Sequence, residues 1–242
     1  MIEVNNLSKN YGAKAVVNNL SFTVKKGEVL GFLGPNGAGK STTMRMVTGF
    51  ISPTKGDAKI CDVSIVDDPK LAKSHIGYLP ESAPLYDDMT VRDFLKFCAS
   101  MRGLRGAVAK ESISTVIETC FLENVSKQSI NTLSKGYRHR TCLAQALLHD
   151  PDVLILDEPT DGLDPNQKYE VRRLISRLGE TKAILFSTHI LEEVDASCTR
   201  ALIIDQGNIV ADGTPSELRA QSESDSLYDL FRDLTTKETS IS

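Results

Sequence analysis

Residues Gly34–Thr42 read GPNGAGKST, between the apolar run VLGFL (29–33) and the stretch TTMRMVTGF (42–50). The spacing matches G-x-x-x-x-G-K-S/T, and the flanks predict a strand before the loop and a helix after it, the context this motif requires. Its glycines let successive backbone N–H groups turn inward around phosphates, and the helix start adds positive potential. Lys40 is expected to reach β- and γ-phosphates and the Ser41 hydroxyl to hold Mg²⁺. Gly34, Pro35, Asn36, Gly37, Ala38, Gly39, Lys40, Ser41 and Thr42 are thus candidate nucleotide-binding residues.

A second element lies downstream in VLILDEPT (153–160). A buried strand here ends in two adjacent carboxylates that point different ways and can split the work. Asp157 is placed to serve a metal ion, and Glu158 to orient or deprotonate a water. Together with the phosphate loop, this pair suggests a nucleotide hydrolase or a kinase.

The octapeptide LSKGYRHR (133–140) separates those two. Its cations and tyrosine suggest a polyanion patch, but Ser134 and Gly136 suggest a turn that opens a helix toward one phosphate. A formal net charge of −4 argues against the polyanion, because nucleic-acid-binding domains are usually basic. Arg138, His139 and Arg140 are then expected to face solvent, neighbouring loops or a partner. In that order along the chain, GPNGAGKST, LSKGY and VLILDEPT resemble the ATP-binding subunits of ABC transporters. The resemblance covers about residues 1 to 215. It departs from the family's L-S-G-G-Q signature at Lys135 and Tyr137 and matches it at Ser134 and Gly136. The LSKGY form, with IGYLPESAPLYDDMTVRDFL (76–95), is similar to export-type subunits: multidrug, polysaccharide or gliding-motility exporters.

The resemblance implies roles one by one. Tyr11, in KNYGAKAV, stands where the family stacks an aromatic on adenine. Glu81 stands where a Q-loop glutamine would touch Mg²⁺ or water. DGLD, Asp161 to Asp164, matches the D-loop, with Asp164 near nucleotide. His189 follows the strand AILFST and matches the H-loop histidine, a γ-phosphate sensor. Glu158, His189 and Lys40 are the expected catalytic residues; Ser41, Asp157 and Glu81 are the expected metal ligands; ATP and Mg²⁺ are the expected cofactors. Two subunits would meet head to tail, with Ser134 and the Gly136 N–H contacting the γ-phosphate in trans.

The fold the resemblance implies is an α/β P-loop NTPase with a mixed-sheet core and an N-terminal antiparallel β subdomain. Residues 1–81 and 151–215 would form the core and β subdomain, residues 82 to 150 a helical insertion, and residues 216–242 a helical, then polar, tail. The textures agree. Thr90 reads as an N-cap with Asp93 three residues on. Val91, Phe94, Leu95, Cys98 and Met101 form one helical apolar stripe. Ile113, Val116, Ile117, Cys120 and Phe121 form a second. Asp164 and Pro165 open a helix, and ALIIDQGNIVADG (201–213) reads as two strands about a Gln206-Gly207 turn.

Composition bounds the rest. Hydrophobic residues at 40% and charged residues at 25% fit a globular chain. The five cysteines form no C-x-x-C pair, which suggests buried thiols in a reducing compartment. No run approaches the ~18 apolar residues of a membrane span. The resemblance implies a second ATPase subunit and an integral membrane permease as partners, and the net charge argues against nucleic acid. The chain would be cytoplasmic, held on the inner membrane face through the permease. Leu85 and Tyr86 are candidates for the permease groove, local loop packing being the other reading. Rival functions are a soluble ABC ATPase acting on DNA or ribosomes, and a P-loop kinase.

Overall fold

The computed structural model describes residues 1–82 and 84–236. The chain runs β1 (Ile2–Tyr11), β2 (Lys14–Val24), β3 (Val29–Leu33), α1 (Lys40–Val47), β4 (Lys55–Ile60), β5 (Val63–Ser64), α2 (Pro69–Ser74) and β6 (Ile76–Leu79). Helices α3 (Val91–Met101), α4 (Gly106–Thr119) and α5 (Lys135–Leu147) follow. Alternation then resumes with β7 (Val153–Asp157), α6 (Pro165–Gly179), β8 (Ala183–Thr188), α7 (Leu191–Ser197), β9 (Arg200–Asp205) and β10 (Asn208–Gly213). Helices α8 (Pro215–Arg219) and α9 (Leu227–Thr235) complete it.

Two sheets result. One, ordered β2-β1-β4-β5, is antiparallel throughout. The other, ordered β10-β9-β3-β8-β7-β6, is parallel except at its edge, where β10 returns antiparallel on β9. Gln206 and Gly207 have φ of 47° and 79°, the left-handed pair that a two-residue hairpin turn requires. The fold is α/β with a mixed core sheet, an antiparallel β layer and helices.

The central strands β3, β7 and β8 are buried at every position, as parallel strands covered on both faces must be. On one face, Leu154, Leu156, Ile184 and Phe186 join Phe94, Leu95, Ile113, Val116 and Leu143 of the helical region. On the other, Leu30, Phe32, Ile155 and Leu185 pack with Ile2, Val4 and Phe22 of the antiparallel sheet around Met44 and Val47 of α1. Each fully buried phenylalanine contributes about 1.5–3 kcal/mol. A third cluster seats Leu218, Leu227 and Leu230 of the C-terminal helices on Leu33, Val194 and Ile203. The tail is therefore docked through α9; its polar end, residues 237–242, lies outside the described residues.

Thr90 caps α3, accepting from the Asp93 N–H at 3.1 Å, and its hydroxyl donates to the Asp93 carboxylate at 2.8 Å. Two stripe residues depart from expectation. Met101 closes α3 at 74% exposure, the buried contact of its last turn coming from Ala99 instead. Phe121 lies past the end of α4 with φ 55°, and this left-handed step turns its ring outward. Of the five free cysteines, only Cys120 and Cys142 are buried; Cys61, Cys98 and Cys198 are half-buried.

His139, expected to face solvent, a loop or a partner, is instead buried in α5, with both ring nitrogens unpaired. Burial pushes its imidazole down from 6.5 to about 4, and does the same to His149. The folded chain thus refuses protons that the unfolded chain binds between pH 6.5 and about 4. Stability is expected to fall as pH falls through that window, seen as a lower urea midpoint at pH 5 than at pH 7. His139→Gln should flatten the profile, and superimposable wild-type and variant profiles would contradict this assignment.

Candidate functional site

The parallel sheet brings the predicted residues to one edge. Strand β3 runs into the phosphate loop, β8 beside it runs into His189, and β7 beyond that ends at Asp157. The register is level, Leu33 opposite Thr188 and Ser187 opposite Asp157, so all three strands deliver their C-terminal ends together. Strand β6 ends at Leu79, paired with Leu156, and places Glu81 just beyond the same edge. In open α/β sheets this edge is where ligands bind.

A cleft of about 1030 Å³ lies there, lined by Asn36, Gly37, Gly39, Lys40, Ser41, Thr42, Glu81, Glu158, Asp161 and His189. Gly39 has φ 105°, and a Cβ there would sit 2.8 Å from the Val16 carbonyl, so only glycine closes this turn. No side chain caps α1, which leaves its first-turn N–H groups free for a ligand. The buried Lys40 ammonium donates to the Gly34 and Pro35 carbonyls at 2.7 and 3.2 Å. Burial lowers its pKa, opposed by the carboxylates of Glu158, Asp157 and Glu81.

Glu158 is held in the left-handed region with φ 51°, a conformation costing roughly 1–3 kcal/mol for a non-glycine residue. It contacts both other expected catalytic groups, His189 Nδ1 at 2.9 Å and Lys40 Nζ at 4.0 Å. Burial raises its pKa, and the His189 hydrogen bond and charge, with Lys40, pull it back. Its backbone N–H donates to Ser187 Oγ at 3.0 Å, and Ser187 donates to Asp157 Oδ1 at 2.5 Å.

Asp157 fits the metal chemistry expected of it. Its Oδ1 also accepts from Ser41 at 3.3 Å, while its Oδ2 is buried without a partner. A free buried carboxylate oxygen beside a serine hydroxyl suits a hard cation such as Mg²⁺. Glu81 is exposed on the cleft wall.

Other predicted residues stand apart from the cleft lining. Tyr11 is 53% exposed, paired across the hairpin with Lys14, which does line the cleft, and Lys9 sits over its ring at 5.3 Å. Ser134 caps α5, accepting from the Tyr137 N–H, and Gly136 is buried behind it. Asp164 caps α6, accepting from the Gln167 N–H at 2.9 Å. A bridge joins the two motifs, Lys135 Nζ to Asp161 at 3.1 Å. Val16, Asn18, Gln206 and Asn208 also line the cleft, and sequence reasoning missed them. Asn18 donates to the Gln206 carbonyl at 3.1 Å, a contact between residues far apart in sequence that no local motif announces.

Three comparisons bear on this site. A family model described as "ABC transporter" matches residues 17–161. The "Probable multidrug ABC transporter ATP-binding protein YbhF" of Escherichia coli (strain K12) is 37% identical over 226 residues, which cover 93% of this chain but 39% of that protein. "Nod factor export ATP-binding protein I" of Paraburkholderia xenovorans is 39% identical over 231 residues, 95% of this chain and 76% of that one. The solved structure of an ATP-binding subunit of an ABC transporter superposes with a TM-score of 0.88 at 30% identity, covering 98% of this chain and 100% of its own.

Proposed function

The chain belongs to the ABC transporter family, among its ATP-binding subunits, and from that premise we propose that it hydrolyses ATP to drive a membrane exporter. The observation that carries the hydrolytic reading is Glu158, whose carboxylate lies between Lys40 and His189 at the end of the parallel sheet. Lys40 and the open N–H groups of α1 bind the β- and γ-phosphates. Ser41 and Asp157 would hold Mg²⁺, which would supply charge compensation for those phosphates. Glu158 takes a proton from the attacking water, the γ-phosphorus gains that oxygen, and its bond to the bridging oxygen of ADP breaks. His189 holds the carboxylate in place through Nδ1, leaving Nε2 for the γ-phosphate. Phosphate release from ATP by the purified chain, with Mg²⁺ and no acceptor, tests this against a kinase. A requirement for an acceptor overturns it.

The dimer reading rests on what the cleft lacks. Ser134 and Gly136 do not line it, yet Ser134 opens an exposed helix start whose dipole favours an anion. We read that end as the partner subunit's lid on the γ-phosphate, so that ATP holds two copies together. Ser134→Ala is expected to slow hydrolysis by about tenfold, the loss of a charge-assisted hydrogen bond. Nucleotide binding by the isolated monomer should stay unchanged, as fluorescent-ATP titration would report. An equal loss of monomer binding would contradict a role in trans.

The export assignment rests on the LSKGY stretch and on the names of the similar proteins. No helix among the described residues is long and apolar enough to cross a membrane. The membrane work thus falls to a permease, against which the chain would sit peripherally on the inner face. Tyr86 and Phe97 offer exposed apolar surface, with Tyr86 edge-on to Phe97 at 5.5 Å between ring centroids. Leu85 is turned partly inward against the helical core. Co-purification of an integral membrane protein separates this reading from a soluble ATPase acting on DNA or ribosomes.

A further inference from the structure

Glu193 stands out among the charged groups away from the cleft. It is 2% exposed, on the first turn of α7, and it does not line the nucleotide site. Its Oε1 accepts from the Thr160 hydroxyl, and its Oε2 from the Thr188 hydroxyl at 2.6 Å. Thr188 in turn accepts from the Ile190 N–H at 3.0 Å. The Arg172 guanidinium of α6 approaches Oε1 at 3.7 Å and compensates a charge that would be costly to bury alone.

The position of the two threonines gives this network its meaning. Thr160 lies two residues past Glu158, and Thr188 directly precedes His189. One buried carboxylate therefore fastens together the backbone that carries the base and the backbone that carries its histidine. Those two side chains meet at 2.9 Å, and Glu158 sits in a left-handed conformation that neighbouring contacts must hold. We propose that Glu193 is a positioning residue for hydrolysis, bracketing Thr160 and Thr188 so that Glu158 and His189 stay in contact. This rests on the assignment of Glu158 as the base.

The bracket has a signature that plain destabilisation lacks. Lys40 and the start of α1 lie outside it, so ATP binding stays while the contact between Glu158 and His189 loosens.

The test measures kcat and KM for ATP of the full chain carrying Glu193→Gln, Thr160→Val or Glu158→Gln. Glu193→Gln removes the charge and replaces one acceptor oxygen by an amide N–H₂, weakening one arm of the bracket. The expected result is a loss in kcat of about 10²-fold, the scale of a misplaced catalytic group. KM should be unchanged. Thr160→Val, which deletes one arm without touching the carboxylate, should give a smaller loss in kcat, again with KM unchanged. It decides the matter if Glu193→Gln does not fold. A wild-type kcat in the folded variants, with Glu158→Gln inactive, overturns the bracket alone. Hydrolysis surviving in Glu158→Gln overturns the assignment beneath it.

Discussion

Glu158→Gln is expected to lower steady-state ATP hydrolysis by about 10²–10⁴-fold, the range for removing a general base. The change keeps the side chain's size, and its Oε1 can still accept from His189 Nδ1. What it removes is a proton acceptor 4.0 Å from Lys40 at the mouth of the phosphate loop. Binding should survive, because the loop, the start of α1 and Lys40 are untouched. With hydrolysis blocked, ATP is expected to accumulate between two copies, so the variant elutes as a dimer in ATP and a monomer in ADP. Stability should not suffer either. Burial disfavours the Glu158 carboxylate in the fold, so removing that charge leaves the thermal midpoint equal or higher. Hydrolysis within about tenfold of wild type, a small fraction of the general-base range, would remove Glu158 from the role of base.

The second large effect belongs to Lys40. Truncating one partner of a buried charge pair costs about 2–5 kcal/mol, so Lys40→Ala should weaken ATP binding roughly 30- to several-thousand-fold. In the ligand-free fold the ammonium donates to the Gly34 and Pro35 carbonyls, which keeps a buried cation satisfied until phosphate oxygens replace them. The loss should be larger for ATP than for adenosine, since only phosphates compete for that ammonium. A fluorescent-nucleotide titration reads both affinities. Equal affinity of the variant and the wild type for ATP would contradict the cradle.

Local patterns made much of this molecule legible before any coordinates. A glycine loop between an apolar strand and a helix has few alternatives, because the chain must present N–H groups inward. The caps at Thr90, Ser134 and Asp164 follow from short polar side chains that satisfy first-turn donors. A strand apolar up to its last residue, as VLILD is, must be covered on both faces, and it is. The misses share one cause. Met101, Phe121 and His139 all sit at plausible helical spacing, but exposure depends on what each element packs against.

The same division holds for the site. Sequence alone determined the phosphate loop, the carboxylate pair and the residue types suited to phosphate and metal, since each follows from a few neighbouring residues. Strand order decided which of them meet. Level neighbours β3, β8 and β7 bring Lys40, His189 and Glu158 within reach of one another, although more than a hundred residues of chain separate the first from the other two. Only the packed structure told Glu193 from Glu192, two identical neighbours in LEEVDASC. One faces water and the other is buried across two threonines, a difference set by the rotation of α7 against the sheet.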